Sequence, residues 1–207
     1  MIDQNKIPRA FIFIDAQYLY KIQKHFEKIH NRKLKTDLHK LGTYLAKEQG
    51  IWCEEIRYFT APPYQHPNPT PDEVQRRAGY DRLVSSLRKI PGFSVREGRC
   101  QFVEGEYHQK GVDTLVTMDL MSAAMQKSVR KIILIACDTD FVPVLNHLRQ
   151  HHEFEIILYY YTDRERGSSF SMSNHILTAC DKCVPLNRAH LENNQRKERS
   201  AEISSPK

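Results

Sequence analysis

Aspartates follow two apolar stretches of the sequence at the point where each stretch ends. Asp15 comes directly after RAFIFI (9–14), and Asp138 comes directly after KIILIAC (131–137), with Asp140 two residues later. If these stretches are neighbouring parallel strands, their carboxyl ends meet at one edge of a sheet, where such sheets bind ligands. Clustered carboxylates repel one another, and keeping them ionised beside an apolar core is costly unless a cation neutralises them.

A third acidic segment, VDTLVTMDLMSAA, has helical spacing and contains Asp113 and Asp119. A helix turns by about 100° per residue, so these two side chains point about 120° apart. Geometry alone therefore predicts that at most one of them contacts a metal directly, unless Asp113 precedes the helix. Oxygen-only ligand sets suit Mg²⁺ or Mn²⁺, which can activate a water for in-line attack on a phosphate.

Each of these acids also has a structural alternative. Asp15, Asp113 and either Asp138 or Asp140 could cap the N-terminus of the helix that follows, since aspartate is a preferred cap. Asp119 could lie on a solvated helix face. Three separate segments that bring acids to one edge favour a metal site over independent caps.

The elements that must position these acids alternate along the chain. Five stretches rich in β-branched and aromatic residues predict strands at 9–14, 51–60, 93–103, 131–137 and 154–161. Segments with helical spacing separate them, including one that begins near Pro71 and one that stops at Gly50. We therefore predict an α/β fold with a mainly parallel central sheet, formed by a single domain over 7–187 and followed by a charged, disordered tail over 188–207.

Composition limits the class of protein. The chain has 207 residues, a formal net charge of +6 and a pI near 9.0, which is typical of a protein with a polyanionic partner and equally of a merely soluble one. An odd count of five cysteines favours a reducing compartment over a disulfide framework. We find neither an export signal nor a membrane span, and we expect a cytoplasmic protein without a membrane partner.

Three blocks of the sequence resemble a known family. FIFIDAQYLY, KGVDTLVTMDLMSAA and KIILIACDTDFVPVLNHLRQHHEFEIILYYY, in this order and separation, are similar to the signature blocks of the NYN domain, a branch of the PIN-like ribonuclease superfamily. The resemblance runs from about residue 9 to about 186. It implies a Rossmann-like three-layer sandwich and a metal-dependent ribonuclease that uses Mg²⁺ or Mn²⁺ to hydrolyse RNA.

The resemblance also assigns residues. Asp15 matches the first acid of the family, Asp113 and Asp119 match the acids after the lysine-containing turn, and Asp138 matches the acid after the fourth strand. These four are the predicted catalytic residues and metal ligands. Asp140 matches a position that is often acidic and is predicted to assist in metal binding.

Two positions depart from the family pattern. Many relatives have a glycine after the first acid and an asparagine three residues beyond that acid, where this chain has Ala16 and Tyr18. The change to Ala16 is small. Tyr18 removes an amide, and we predict that its ring stacks on a base of the substrate instead.

Basic residues outside the acidic blocks are predicted to contact substrate. Lys110 precedes the helix that carries Asp113, and Arg76 and Arg77 lie in the helix that begins at Pro71. They could neutralise RNA phosphates, although a solvated helix face is an alternative for the two arginines. The expected partner is single-stranded or structured RNA, and the oligomeric state is left open, with a homodimer as one alternative.

Other functions remain to be weighed. ILIACDTDFV also resembles the first motif of haloacid dehalogenase-type phosphatases, but no acidic pair follows a clear strand in residues 141–207. Cys180 and Cys183 form a C-x-x-C pair without a second pair at zinc spacing, which favours buried or incidental cysteines. The main rival to the nuclease is a non-catalytic RNA-binding or adaptor module that retains the acids, and a DNA-directed nuclease is a further alternative.

Overall fold

Strands and helices alternate along the chain. A computed structural model describes residues 7–126, 128–163 and 170–196, and these residues form eight strands and seven α-helices. The strands are β1 (Arg9–Asp15), β2 (Trp52–Thr60), β3 (Phe93–Glu97), β4 (Arg99–Val103), β5 (Glu106–Lys110), β6 (Lys131–Ile135), β7 (Glu155–Tyr160) and β8 (Lys182–Pro185). The helices are α1 (Ala16–His30), α2 (Leu38–Glu48), α3 (Pro71–Leu87), α4 (Val112–Ala124), α5 (Val142–His152), α6 (Asn174–Thr178) and α7 (Arg188–Glu192).

Six of the strands form one sheet in the order β3-β2-β1-β6-β7-β8, and every neighbouring pair is parallel. Strands β1 and β6 are therefore central, as their apolar sequences predict. The predicted α/β sandwich with a mainly parallel sheet is confirmed. Among the residues that the structure describes, no helix combines the length and the apolar character needed to cross a membrane.

The sheet buries a separate apolar core on each face. Along β1, Ile12 and Ile14 pack into one core with α1 and α2, whereas Phe11 and Phe13 pack into the other with α4 and α5. Side chains of a strand alternate between faces, so a strand covered on both sides must be apolar throughout. This double covering places the first turns of α1 and α4 at the carboxyl ends of the strands.

The stretch 93–103, predicted as one strand, is two strands that belong to different sheets. It divides at Gly98, where an added Cβ would lie 2.6 Å from the Lys110 carbonyl oxygen and 2.8 Å from Cγ2 of Val112. The missing side chain lets the base of the β4–β5 hairpin approach the start of α4 closely. The hairpin turns at Glu104 and Gly105, which both have positive φ. Strands β5 and β8 were not predicted from the sequence.

Part of the predicted tail is folded. Helix α7 spans Arg188–Glu192, and its Leu191 is fully buried in the core beside α1 and α2. Gln195 then forms a β-bridge with Thr36. The prediction of a disordered tail is therefore wrong for residues 188–196. This segment has too few apolar residues to show a helical periodicity in the sequence. Residues 197–207 lie outside the described residues.

Candidate active site

The acidic residues lie where β1 and β6 end. From β1 the sheet continues to β2 and β3 on one side, and from β6 it continues to β7 and β8 on the other. Such a switch in strand order opens a crevice beyond the carboxyl ends of the strands. Asp15 is the last residue of β1, and Asp138 is the third residue after β6.

The capping role, one of the two alternatives predicted for Asp15, is present in the structure. Oδ1 of Asp15 accepts hydrogen bonds from the backbone N–H groups of Gln17 (2.8 Å) and Tyr18 (3.2 Å), so it caps α1. Burial nevertheless raises the pKa of Asp15 to about 6, and the nearby charge of Asp113 adds to this rise, while the two backbone bonds oppose it. The fold therefore disfavours ionised Asp15 unless a positive charge lies nearby.

Asp113 lies in the first turn of α4. The helix begins after Gly111, whose φ of +80° favours glycine, and no side chain caps it. Loss of hydration raises the pKa of Asp113, and the charges of Asp138 and Asp140 raise it further. Asp113 is thus electrostatically coupled both to the acid after β1 and to the acids after β6.

Asp138 begins the turn between β6 and α5. Its Oδ1 accepts a hydrogen bond from the backbone N–H of Asp140 at 2.9 Å, and a short 3-10 turn (Thr139–Phe141) follows. The pKa of the neighbouring Cys137 thiol is affected by the same negative charges. Burial raises the pKa of Cys137 to about 11, and Asp15 and Asp138 both contribute.

We call the four residues Asp15, Asp113, Asp138 and Asp140 the acidic edge. Their oxygen atoms are of the type that Mg²⁺ and Mn²⁺ prefer, and a cation would relieve the repulsion that raises the pKa values of Asp15 and Asp113. The part of the chain described by the structure contains no group of three His, Cys, Asp or Glu side chains already arranged to hold a metal ion. The acidic edge therefore fits such an ion in chemistry and location, without a preformed cage.

Asp119 has different surroundings. It is buried on the side of α4 that faces the sheet, where its Oδ2 lies 3.1 Å from Nε of Arg96 in β3. Among the described residues, that Nε has no acceptor in hydrogen-bond geometry, so the contact is an ion pair. Nη1 of the buried Arg57 in β2 donates to the Asp119 carbonyl oxygen at 3.1 Å. These contacts attach α4 to the sheet.

The comparisons with known proteins decide the family. The sequence model described as the NYN domain matches residues 9–187. This chain belongs to the NYN domain family. Members of this family are generally nuclease-like, and no curated protein matches the chain.

A solved structure supports the fold of this NYN domain. The crystal structure of a protein of unknown function from Vibrio parahaemolyticus is similar, with a TM-score of 0.56 and 16% sequence identity. The similarity covers 91% of this chain and 98% of the other. At this identity it shows the shared fold alone.

The base-stacking role predicted for Tyr18 is wrong. The Tyr18 ring is buried in the core beneath α1. Its hydroxyl donates to the Tyr161 carbonyl oxygen at 3.2 Å and accepts from the Tyr161 N–H at 2.8 Å. In this NYN domain the residue that replaces the family asparagine connects α1 to the chain after β7, because its two hydroxyl contacts lie inside the protein.

The basic residues predicted to bind substrate lie on two elements. Lys110 ends the hairpin and, with Arg99, lines a groove of about 430 Å³ that reaches Thr114, next to Asp113 in sequence. Arg76 is exposed on α3. Arg77, on the same helix, donates from Nε to Asp81 at 3.0 Å.

Lys21 and the aromatic residues of the hairpin were not predicted as site residues. Lys21 is exposed in α1, close enough to Asp15 to lower the pKa of that carboxyl. Its position in the sequence, six residues after Asp15, could have indicated that it lies near the site. Phe102 and Tyr107 flank the hairpin turn, which EG at 104–105 followed by alternating residues could have indicated.

Proposed function

We propose that this NYN domain is a divalent-metal-dependent ribonuclease that hydrolyses RNA phosphodiester bonds at the acidic edge. The observation that carries the proposal is the coupling of Asp15, Asp113 and Asp138. These three acids come from distant parts of the chain, and each of them raises the pKa of another group at the same edge. Acids that raise the pKa values of neighbouring groups in this way favour the binding of a cation.

In this proposal the side chains of the acidic edge hold Mg²⁺ or Mn²⁺. Asp15 is fixed by its two backbone hydrogen bonds, both of which end on Oδ1. Asp113 and Asp138 contribute from the other two elements, and Asp140 assists. When bound, the ion would activate a water and offset the charge that develops on the scissile phosphate and the leaving oxygen.

The remaining residues bind the substrate and tune the acids. Lys21 favours the ionised form of Asp15, which is the form that binds a cation. Lys110 lines the groove that reaches Thr114, the residue after Asp113, and in this proposal it contacts RNA phosphate. Arg76 and Arg77 add positive charge on α3. Asp119, which the family resemblance assigns to the metal, acts in this proposal through Arg96 as a positioning residue.

Cleavage of labelled single-stranded RNA with Mn²⁺ or Mg²⁺ tests the proposal, with EDTA as the metal-free condition. The variants are Asp15→Asn and Asp138→Asn, which remove a charge but keep an oxygen able to cap a helix. Asp37→Asn is the matched control, because Asp37 caps α2 in the same manner, accepting from the Lys40 N–H at 3.1 Å, and is outside the acidic edge.

The expected result is metal-dependent cleavage by wild type and Asp37→Asn that is abolished in both other variants. Intact RNA with wild type, under conditions in which the protein binds that RNA, would contradict the nuclease proposal. Cleavage that survives EDTA or both substitutions would contradict the assignment of the acids.

A non-catalytic RNA-binding module is the second candidate, and one observation favours it. The described residues hold no preassembled group of three metal-ligating side chains. A module that does not bind the ion would bind RNA through its basic residues without cutting it. The same assay separates the two, since the module binds RNA whether or not metal is present.

A further inference from the structure

The β4–β5 hairpin exposes aromatic side chains outside both cores. Its two strands pair with each other and with no strand of the six-stranded sheet. Phe102 is 39% exposed and Tyr107 is 53% exposed. Large exposed rings on a small hairpin are unfavourable in water, and contiguous exposed apolar surface commonly marks a binding site.

These rings are part of an ordered cluster. The Tyr64 ring, from the loop after β2, stacks on Phe102 with centroids 5.8 Å apart and an interplanar angle of 28°. The ring centroid of Tyr107 lies 4.9 Å from that of Phe102 and 5.9 Å from that of Tyr64. His66 lies 5.3 Å from Phe102. We call Tyr64, His66, Phe102 and Tyr107 the aromatic surface.

The loop side of the aromatic surface is held in place by a buried carboxylate. Nδ1 of His66 lies 2.6 Å from Oε1 of Glu73, whose side chain is buried at the start of α3. Oε2 of Glu73 accepts from the Thr70 N–H at 2.8 Å in a capping box. The rings are therefore arranged before any ligand binds, which lowers the entropic cost of binding.

A cleft extends from the aromatic surface to the two residues that follow Asp15. It has a volume of about 590 Å³ and lies between α1, α3 and the hairpin. Ala16 and Gln17, which directly follow Asp15, line one part of it, and Tyr64 and Tyr107 line another. Arg76 also lines the cleft and brings positive charge to it. The cleft thus combines a cation and stacking rings with residues that directly follow Asp15 in the sequence.

We propose that single-stranded RNA lies in this cleft with unpaired bases stacked on the aromatic surface and its backbone passing Asp15. This inference rests on the proposed function for its ligand, RNA, but not on cleavage. Aromatic platforms bind single strands because every base has a face that can stack, whereas the bases of a duplex are already stacked on each other. The aromatic surface would therefore select single strands over duplexes.

The test is equilibrium binding in EDTA, where no metal-dependent cleavage occurs. A fluorescent single-stranded oligoribonucleotide and a duplex of the same length are compared by anisotropy at fixed salt, since phosphate contacts depend on salt. The variants are Tyr107→Leu, which keeps apolar cover but removes the ring, and Tyr107→Phe, which keeps the ring. Trp52→Leu is the matched control, because Trp52 is 55% exposed at the start of β2, at the opposite end of that strand from Tyr64.

We expect Tyr107→Leu to raise the Kd for the single strand by about 10-fold, the loss of one base stack. Tyr107→Phe and Trp52→Leu should stay within about twofold of wild type. A Tyr107→Leu variant that binds like wild type would overturn the inference and leave the aromatic surface to another class of partner. An equal loss for duplex and single strand would also overturn it, since base stacking would then not be involved.

A second measurement needs no variant. RNA that carries 5-iodouracil crosslinks to nearby aromatic side chains on irradiation, and the wild-type protein should crosslink at Tyr64, Phe102 or Tyr107. Crosslinks confined to other parts of the chain would contradict the inference. If binding depends on the Tyr107 ring but wild type does not cleave RNA, the nuclease proposal is wrong and this inference is retained. If wild type cleaves RNA but binding does not depend on the ring, this inference is wrong and the nuclease proposal is retained.

Discussion

Asp113 and Asp119 belong to the same helix, yet their carboxylates lie in opposite surroundings. Burial raises the pKa of Asp113, and the charges of the nearby Asp138 and Asp140 raise it further. Asp119, six residues further along α4, is buried against Arg96, with their charged atoms 3.1 Å apart. One carboxylate lies among like charges and the other lies beside an opposite charge.

This difference distinguishes charges that stabilise the fold from charges that are proposed to bind a cation. The buried Arg57 belongs with Asp119, since it donates to Glu55 at 2.9 Å and to the Asp119 carbonyl oxygen and lies 4.6 Å from the Phe11 ring. Paired charges of this kind stabilise the fold when their partners are present. The carboxylates of the acidic edge repel one another, and Lys21 offsets this only in part at Asp15, an arrangement that is typical of functional sites.

The largest expected effect is on catalysis. Asp113→Asn should lower the rate of metal-dependent RNA cleavage by about 1000-fold, because a neutral amide is a poor ligand for Mg²⁺ or Mn²⁺. Its free energy of unfolding should not fall, since repulsion at the acidic edge is reduced. Single-turnover cleavage and urea unfolding measure the two quantities. A variant that cleaves at the wild-type rate would remove Asp113 from the site.

The next effect is on stability. Arg57→Met should lower the free energy of unfolding by about 3 kcal/mol, because the variant leaves Glu55 and a buried carbonyl oxygen without their partner. Arg77→Met is the matched control, since the Arg77–Asp81 pair is on the surface of α3 and should matter by less than about 0.5 kcal/mol. Equal unfolding midpoints for the two variants would show that Arg57 does not attach α4 to the sheet.

Asp15→Asn should be more stable than wild type at neutral pH. Burial raises the pKa of Asp15 from 3.8 to about 6, so the fold favours the protonated acid, and wild type loses stability as pH rises from about 4 to about 6. Each pKa unit corresponds to about 1.4 kcal/mol, which gives a difference approaching 3 kcal/mol above pH 6. Urea unfolding of both proteins in EDTA at pH 4 and pH 7 measures it. If the difference in free energy of unfolding is no larger at pH 7 than at pH 4, the fold does not disfavour ionised Asp15.

The smallest effect belongs to the paired acid. Asp119→Asn should lower the free energy of unfolding by about 1 kcal/mol through loss of the pair with Arg96, which is partly exposed. Cleavage should fall by less than about 10-fold, as for a residue that acts through the position of α4. If Asp119→Asn instead loses cleavage as completely as Asp113→Asn does, while its stability is unchanged, Asp119 is a metal ligand as the family resemblance implies.

The sequence predicted the central part of this architecture well. The strands that contain Ile12 and Ile133 are buried on both faces. Their continuously apolar sequences therefore predicted two central strands of a parallel sheet. Because parallel strands end at the same edge, the positions of Asp15 and Asp138 followed from the strand assignment.

Contacts between distant segments could not be predicted from local pattern. Tyr18 was expected to face substrate, yet Tyr161 holds its hydroxyl from 143 positions away. The pairing of Asp119 with Arg96 likewise depends on how closely α4 approaches β3. The division of 93–103 at Gly98 was missed because the reason for that glycine, the nearby Lys110 carbonyl oxygen, lies on another strand.

Mn²⁺ binding without RNA tests most directly whether the acidic edge is a cation site. Electron paramagnetic resonance of free Mn²⁺ during titration gives the affinity for wild type, Asp15→Asn, Asp113→Asn and the control Asp37→Asn. The account predicts binding by wild type and Asp37→Asn, with affinity lowered by at least about 10-fold in the other two. Equal affinity in all four proteins, or no binding to any of them, would contradict it.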